Sequence, residues 1–194
     1  MTRDDTDRGA SLAGLDIVVA VARDESGQVL LRELQRTRAR VRHLWPLGEP
    51  LPEDSDVIFC EASAEVARLV PWPRGQPTAA LVMVVSPTTE LDVLRRATPD
   101  AVLHRPFASQ AVLTSLMIGH ANFTYASRLR QRIQKLDETS RTIRSVERAK
   151  TMLMQGRKMR EEEAYRFIRN QAMTRRISIG AFAAAIVETG DALG

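Results

Sequence analysis

Six basic residues near the C-terminus, Lys150, Arg157, Lys158, Arg169, Arg175 and Arg176, carry the most evident chemistry in this sequence. An ammonium or guanidinium that reaches solvent pairs with phosphate. Several on neighbouring helical turns would release counterions from a nucleic-acid backbone and give a salt-dependent attraction. Residues 128–176 hold 15 Arg/Lys against 6 Asp/Glu, whereas residues 1–127 hold 13 against 16, so the net charge of +4 hides an acidic first part and a strongly basic second one. A solvated helical face would also gather such charge, so charge alone does not decide between the two readings. Enzyme chemistry finds no support. His43, His104 and His120 lack metal-ligand spacing, there is no glycine-rich phosphate loop, and no nucleophile has an evident base beside it, so no catalytic residue, metal or cofactor is expected.

The elements that must position these residues fall into two parts, since 194 residues at 44% hydrophobic can bury one full core and carry an appendage. The single cysteine, Cys60, forbids an intrachain disulfide and fits a reducing compartment. The polar start MTRDDTDRGASLAG lacks the apolar core of a signal peptide, and no stretch is long enough to cross a bilayer. A soluble, cytoplasmic protein without a membrane partner is expected, with residues 1–14 as a disordered tail.

From there, short apolar runs recur at Ile17 to Ala22, Val57 to Cys60, Ala80 to Val85 and Ala101 to Leu103, with a weaker strand around Val41 to Leu44. Helical patterns alternate with them over Gly27 to Arg38, Glu61 to Val70, Glu90 to Ala97 and from Ser109 onward, which predicts a parallel α/β, flavodoxin-like domain over 15–118. The segment PWPRGQP (Pro71 to Pro77) is too rich in proline for a helix and reads as a surface connection. This order resembles a response-regulator receiver. That resemblance implies an acidic pair after the first strand to hold Mg²⁺, an acceptor aspartate ending the third, and a lysine after the fifth. Here Val21-Ala22-Arg23 fills the acidic-pair region with Asp24 and Glu25 just downstream, Glu61 stands at the acceptor position, and Arg105 precedes Pro106 in place of the lysine. Arg23, Glu61 and Arg105 therefore mark a degenerate site in a pseudo-receiver used for protein contacts. Glu61 either mimics a phosphorylated aspartate beside Arg105 or is simply a polar residue at a strand end, and the second reading is preferred.

Neither proline nor glycine occurs between His120 and Gln155, which as one helix would extend about 54 Å. Ala126, Ile133 and Ser140 fit heptad a positions, with Asn122, Leu129, Leu136 and Ile143 at d, so a coiled-coil linker over 119–143 and a homodimer are expected. The alternative is an amphipathic helix packed on its own receiver. Beyond Ile143 the pattern broadens toward a small bundle over 144–194. Val146, Ala149, Leu153 and Met154 face a core, Gly156 suits a C-cap, and Glu161 to Glu163 suit the N-terminus of a second helix running from about Arg160 to Met173. Ala164, Tyr165, Ile168 and Ala172 face inward. Ile177, Ile179, Phe182, Ala185 and Ile186 belong to a third helix ending near Thr189. Tyr165 reads first as core and only secondarily as a platform for stacking an RNA base.

Ala149, Lys150, Leu153 and Met154, a basic turn at Gly156 to Arg160, the EEEA helix start and the following IRNQAM resemble the ANTAR RNA-binding domain. With the pseudo-receiver and coiled coil ahead of it, the whole chain resembles the amidase-regulator group of ANTAR-domain transcription antiterminators. The resemblance implies a three-helix bundle and a homodimer that binds stem-loops of nascent leader mRNA. It also implies a ligand-sensing negative regulator, resembling a periplasmic binding protein, that sequesters the protein in place of phosphorylation. Lys150 and Arg169 match the motif most directly, and Arg157, Lys158, Arg175 and Arg176 are chosen mainly on charge, as heads that can reach solvent on one shared patch. A DNA-binding response-regulator-like factor and a signalling scaffold remain alternatives.

Overall fold

The computed structural model describes residues 12–191 except 47–49, 64, 71 and 74. The tail expected over residues 1–14 falls, for 1–11, outside the described residues; Leu12 packs against the first domain's core.

The first compact unit ends at Ser127. Five strands, β1 (Asp16–Ala20), β2 (Arg40–His43), β3 (Val57–Glu61), β4 (Ala80–Val85) and β5 (Ala101–His104), form one parallel sheet in the order β2-β1-β3-β4-β5. Strict side-chain alternation splits β1, β3 and β4 between two cores. Ile17, Val19, Val57, Phe59, Val82 and Val84 meet Leu30, Leu34, Val112 and Leu116 on one face. Val18, Ala20, Ile58, Cys60, Leu81 and Met83 meet Leu51 and Val66 on the other. Because both their faces are covered, these three strands are almost continuously apolar, which made them legible as strands, whereas the edge strand β2 (RVRH) is not. Burial, with the Glu61 charge nearby, pushes the Cys60 thiol up to about 12, so it packs as an unionised apolar group.

Helices α1 (Glu25–Arg36), α2 (Val66–Leu69) and α3 (Leu91–Ala97) link the strands. Asp24 caps α1 by accepting from the Gly27 N–H at 2.7 Å. A Cβ at position 27 would run into the Ala22 carbonyl oxygen, so only glycine lets the chain turn into α1 so tightly. The helix expected from Glu61 shrinks to the single turn of α2, because Glu61 stays in the sheet, in register with Val84.

Helix α4 (Ser109–Arg157) runs without interruption through the interval predicted from the missing proline and glycine. The second unit, from Arg128, comprises the rest of α4 with α5 (Glu161–Arg175) and α6 (Ile179–Asp191). Val146, Ala149, Leu153, Ala164, Ile168, Ala172, Phe182 and Ala183 form its core. At Gly180 a Cβ would lie 2.7 Å from Thr142 Oγ1, so α6 approaches α4 as closely as a glycine permits. Tyr165 and Ile177, expected inside, are each 44% exposed, Ala185 is exposed, and Met154 is 40% exposed. The stripe of Ala164, Ile168 and Ala172, spaced by four, already fills the inward face of α5 and leaves Tyr165 on its flank, about 60° round from Ile168. Gly156 is not the C-cap but lies in the last turn of α4, and Lys158 takes the left-handed conformation, φ 53°.

Candidate functional site

Two clusters deserve a chemical reading, one in each unit. In the first, the Arg105 guanidinium donates Nε to Glu61 Oε1 at 3.2 Å and Nη2 to Glu61 Oε2 at 2.9 Å. Its Nη1 donates to both Asp24 oxygens, at 3.0 and 2.8 Å. The Arg105 side chain is only 14% exposed and lies 5.7 Å from the centroid of the Phe107 ring. Burial alone would lower its pKa, yet the hydrogen bonds to Glu61 and Asp24 win and raise it. The Asp24 carboxyl is held below its ordinary range, first by the Gly27 N–H and then by Arg105, against the opposing effect of desolvation. The same carboxylate thus caps α1 and anchors Arg105. A fixed cation built into the chain pairs with both acids and offsets one of their two negative charges.

This corrects two expectations. Glu61 is not merely a polar strand end, because it grips Arg105 in a two-pronged ion pair. Arg23 is exposed and takes no part in the network, while Asp24, one residue further on, does. The missed signal was local: an aspartate three residues before a glycine at the start of a helical pattern is an N-cap, which fixes where its carboxylate points.

In the second unit the structure divides the six expected basic residues. Lys150 Nζ donates to Glu147 Oε1 at 2.9 Å and to Glu161 Oε1 at 2.7 Å, tying α4 to the first turn of α5. Its side chain is 11% exposed, so the head expected in solvent is enclosed. Donation to Glu161, then to Glu147, raises its pKa, and the bond accepted from Lys150 correspondingly lowers that of Glu161. Lys150 lines a hollow with Glu161, Glu162, Tyr165 and Arg166. Arg169 is exposed one turn beyond Tyr165, on that side of α5.

Arg157 and Arg175 lie on the other side. The Arg157 guanidinium stands 5.2 Å from the Phe167 ring centroid, and that of Arg175 stands 5.0 Å from Phe182. The two rings are tilted neighbours with centroids 6.4 Å apart. Both arginines line a concavity of about 590 Å³ together with Gly156, Gln171 and Leu153. Positions 165 and 167 are about 200° apart around a helix at 3.6 residues per turn, so no single patch on α5 holds all six residues. Lys158 and Arg176 are exposed in left-handed conformations just past α4 and α5, where glycine or asparagine is usual.

The expected seam is also modified. Asn122 is engaged within the first unit, donating Nδ2 to the Asp100 carbonyl at 2.9 Å. Leu129, Ile133, Leu136 and Ile143 are exposed, Leu136 by 69%, and Ala126 is half-buried.

Comparison with known proteins gives this arrangement a family. The AmiR N-terminal family model matches residues 15–120, more than half of the chain. The ANTAR domain model matches residues 134–187. The aliphatic amidase regulator of Pseudomonas aeruginosa is 27% identical over 174 residues, 86% of this chain and 87% of that protein. The transcriptional regulatory protein PdtaR of Mycobacterium tuberculosis is 27% identical over 113 residues, 57% of this chain and 55% of its own length. The structure of the response regulator StyR is similar at a TM-score of 0.47 and 13% identity, covering 91% of this chain and all of that one. Both relatives matched by sequence are regulators.

Proposed function

Because the chain belongs to the AmiR N-terminal family and carries an ANTAR domain, we propose that it is an RNA-binding transcription antitermination regulator. It acts as a dimer on stem-loops of nascent leader mRNA in the cytoplasm. The observation that carries this reading is the state of the bundle's cations. Arg157 and Arg175 are stacked on phenylalanines and have no carboxylate partner among the described residues, so their charge is available to an outside phosphate. Lys158, Arg169 and Arg176 add exposed charge. Lys150 serves as a strut that positions the α4–α5 corner.

The proposed division is a pseudo-receiver over 15–118, a coiled-coil linker over 119–143 and the RNA-binding bundle over 144–194. Ala126, Leu129, Ile133, Leu136 and Ile143 supply the dimer seam, and burying each large apolar side chain there contributes about 1.5–3 kcal/mol before association costs. In the receiver, Arg105 already pairs with both Asp24 and Glu61, which supports control by sequestration rather than by phosphorylation. The proposed partner is a ligand-sensing protein resembling a periplasmic binding protein. Co-purification of the two, released by a small ligand, is the expected result; a complex indifferent to every candidate ligand would contradict it.

The direct test of function is transcription in vitro from a template carrying the leader and its terminator. Full-length transcript should rise with protein concentration, and Arg157→Ala/Arg175→Ala should lose the effect. A change in initiation on a template lacking the terminator would instead indicate a DNA-binding factor.

A further inference from the structure

The concavity between α4, α5 and α6 has a composition that suits one kind of ligand. Its floor is apolar, with Leu153 and Phe182 buried beneath it. Two guanidiniums stand over its phenylalanine rings, Arg157 at Phe167 and Arg175 at Phe182. Gln171 supplies an amide that donates and accepts at once. No carboxylate is among the residues lining it. The hollow beside Lys150 differs, since Glu161 and Glu162 line it and offset the charges of Lys150 and Arg166. A flat heterocycle attached to an anionic backbone meets the first set of features and not the second: it stacks on guanidinium or ring faces, offers an edge to an amide, and brings phosphates to the arginines.

We propose that the Arg157–Phe167–Gln171–Arg175–Phe182 concavity is a base-reading pocket that takes one unpaired base from the loop of an RNA hairpin. This rests on the reading of the protein as RNA-binding and adds where, and through which chemistry, the loop is read. Gly156 keeps the pocket open. It lines the concavity, and a Cβ built there meets no atom within 4 Å. It also sits in the last turn of α4, where leucine favours helix over glycine. Gly156→Leu therefore obstructs the pocket without removing a charge or disturbing the core.

Hairpins with a fixed stem and a randomised loop are selected on the wild-type full chain, and the selected RNA is titrated intact and with each loop position made abasic in turn. One abasic position should bind about tenfold more weakly, the scale of one lost stacking contact. Gly156→Leu should weaken the intact hairpin by a similar factor, bind that abasic copy as wild type does, and leave the salt dependence unchanged. Gln171→Ala should relax the base preference at that position, and an unchanged preference would remove Gln171 from the assignment. Wild-type affinity of natively folded Gly156→Leu for the intact hairpin, or equal weakening of both RNAs, would overturn the pocket while RNA binding stands. Failure to select any hairpin in preference to duplex DNA would overturn the RNA-binding reading, and the pocket with it.

Discussion

Arg105 in the first unit and Arg157 in the bundle are the same side chain in opposite electrostatic states. Arg105 is nearly enclosed, bridges two carboxylates and rests beside Phe107. Arg157 also lies against a phenylalanine but faces no carboxylate among the described residues. A cation with two internal counterions is committed to the fold. One held by a ring alone keeps its charge for a ligand, because the ring quadrupole orients it without neutralising it. Lys150, which motif matching places with the RNA contacts, belongs electrostatically with Arg105. Counting basic residues overstates an interface unless their partners are counted too.

The strongest way to break this contrast is Arg105→Ala. It leaves Asp24 and Glu61 facing each other without their cation. Removing one member of a fully buried pair costs ~3–5 kcal/mol, and because Asp24 is 52% exposed we expect about 2–3 kcal/mol in urea unfolding of the full chain. The pH dependence has a definite sign. Asp24 has a depressed folded pKa, so its contribution is present above the unfolded value of about 3.9 and is lost as pH falls through the folded one. The gap between wild type and Arg105→Ala should therefore narrow below about pH 4.

Arg157→Ala/Arg175→Ala should do the reverse. Stability should fall by no more than about 1 kcal/mol per lost cation–π contact. Hairpin RNA affinity should drop by ~10- to 100-fold, and the slope of log K against log salt should flatten by about 1.5–2, as two phosphate contacts disappear. Lys150→Ala sharpens the comparison. It should cost about 1 kcal/mol or less, as for pairs whose carboxylates are exposed, and leave the salt slope unchanged. The smallest effect is expected from Lys158→Gly, which relieves a left-handed conformation and should raise stability by about 0.5–1 kcal/mol in thermal melts.

The sheet was legible because parallel strands covered on both faces read as β-branched runs, and α4 because nothing in its sequence stops a helix. The bundle's order of helices was legible from charge at the start of α5 and from its alanine spacing. The partners of the charged groups were not. Arg105 and Asp24 are 81 residues apart, and Lys150 and Glu161 meet only because the chain turns sharply after Arg157. Tyr165 was misplaced for another reason: helical spacing identifies a stripe but not its width, and three residues on α5 sufficed. The pairing of Arg157 with Phe167 and Arg175 with Phe182 depends on how three helices pack, which no local pattern encodes.

The central claim is that the bundle's unpaired cations serve RNA. It is tested most directly by titrating the full chain with a two-stem-loop leader RNA and with duplex DNA of equal length across a salt series, for wild type and Arg157→Ala/Arg175→Ala. Preference for the RNA, lost in the double variant together with part of the salt slope, is the predicted result. Equal or tighter binding to the duplex, or RNA binding indifferent to both arginines, would contradict it.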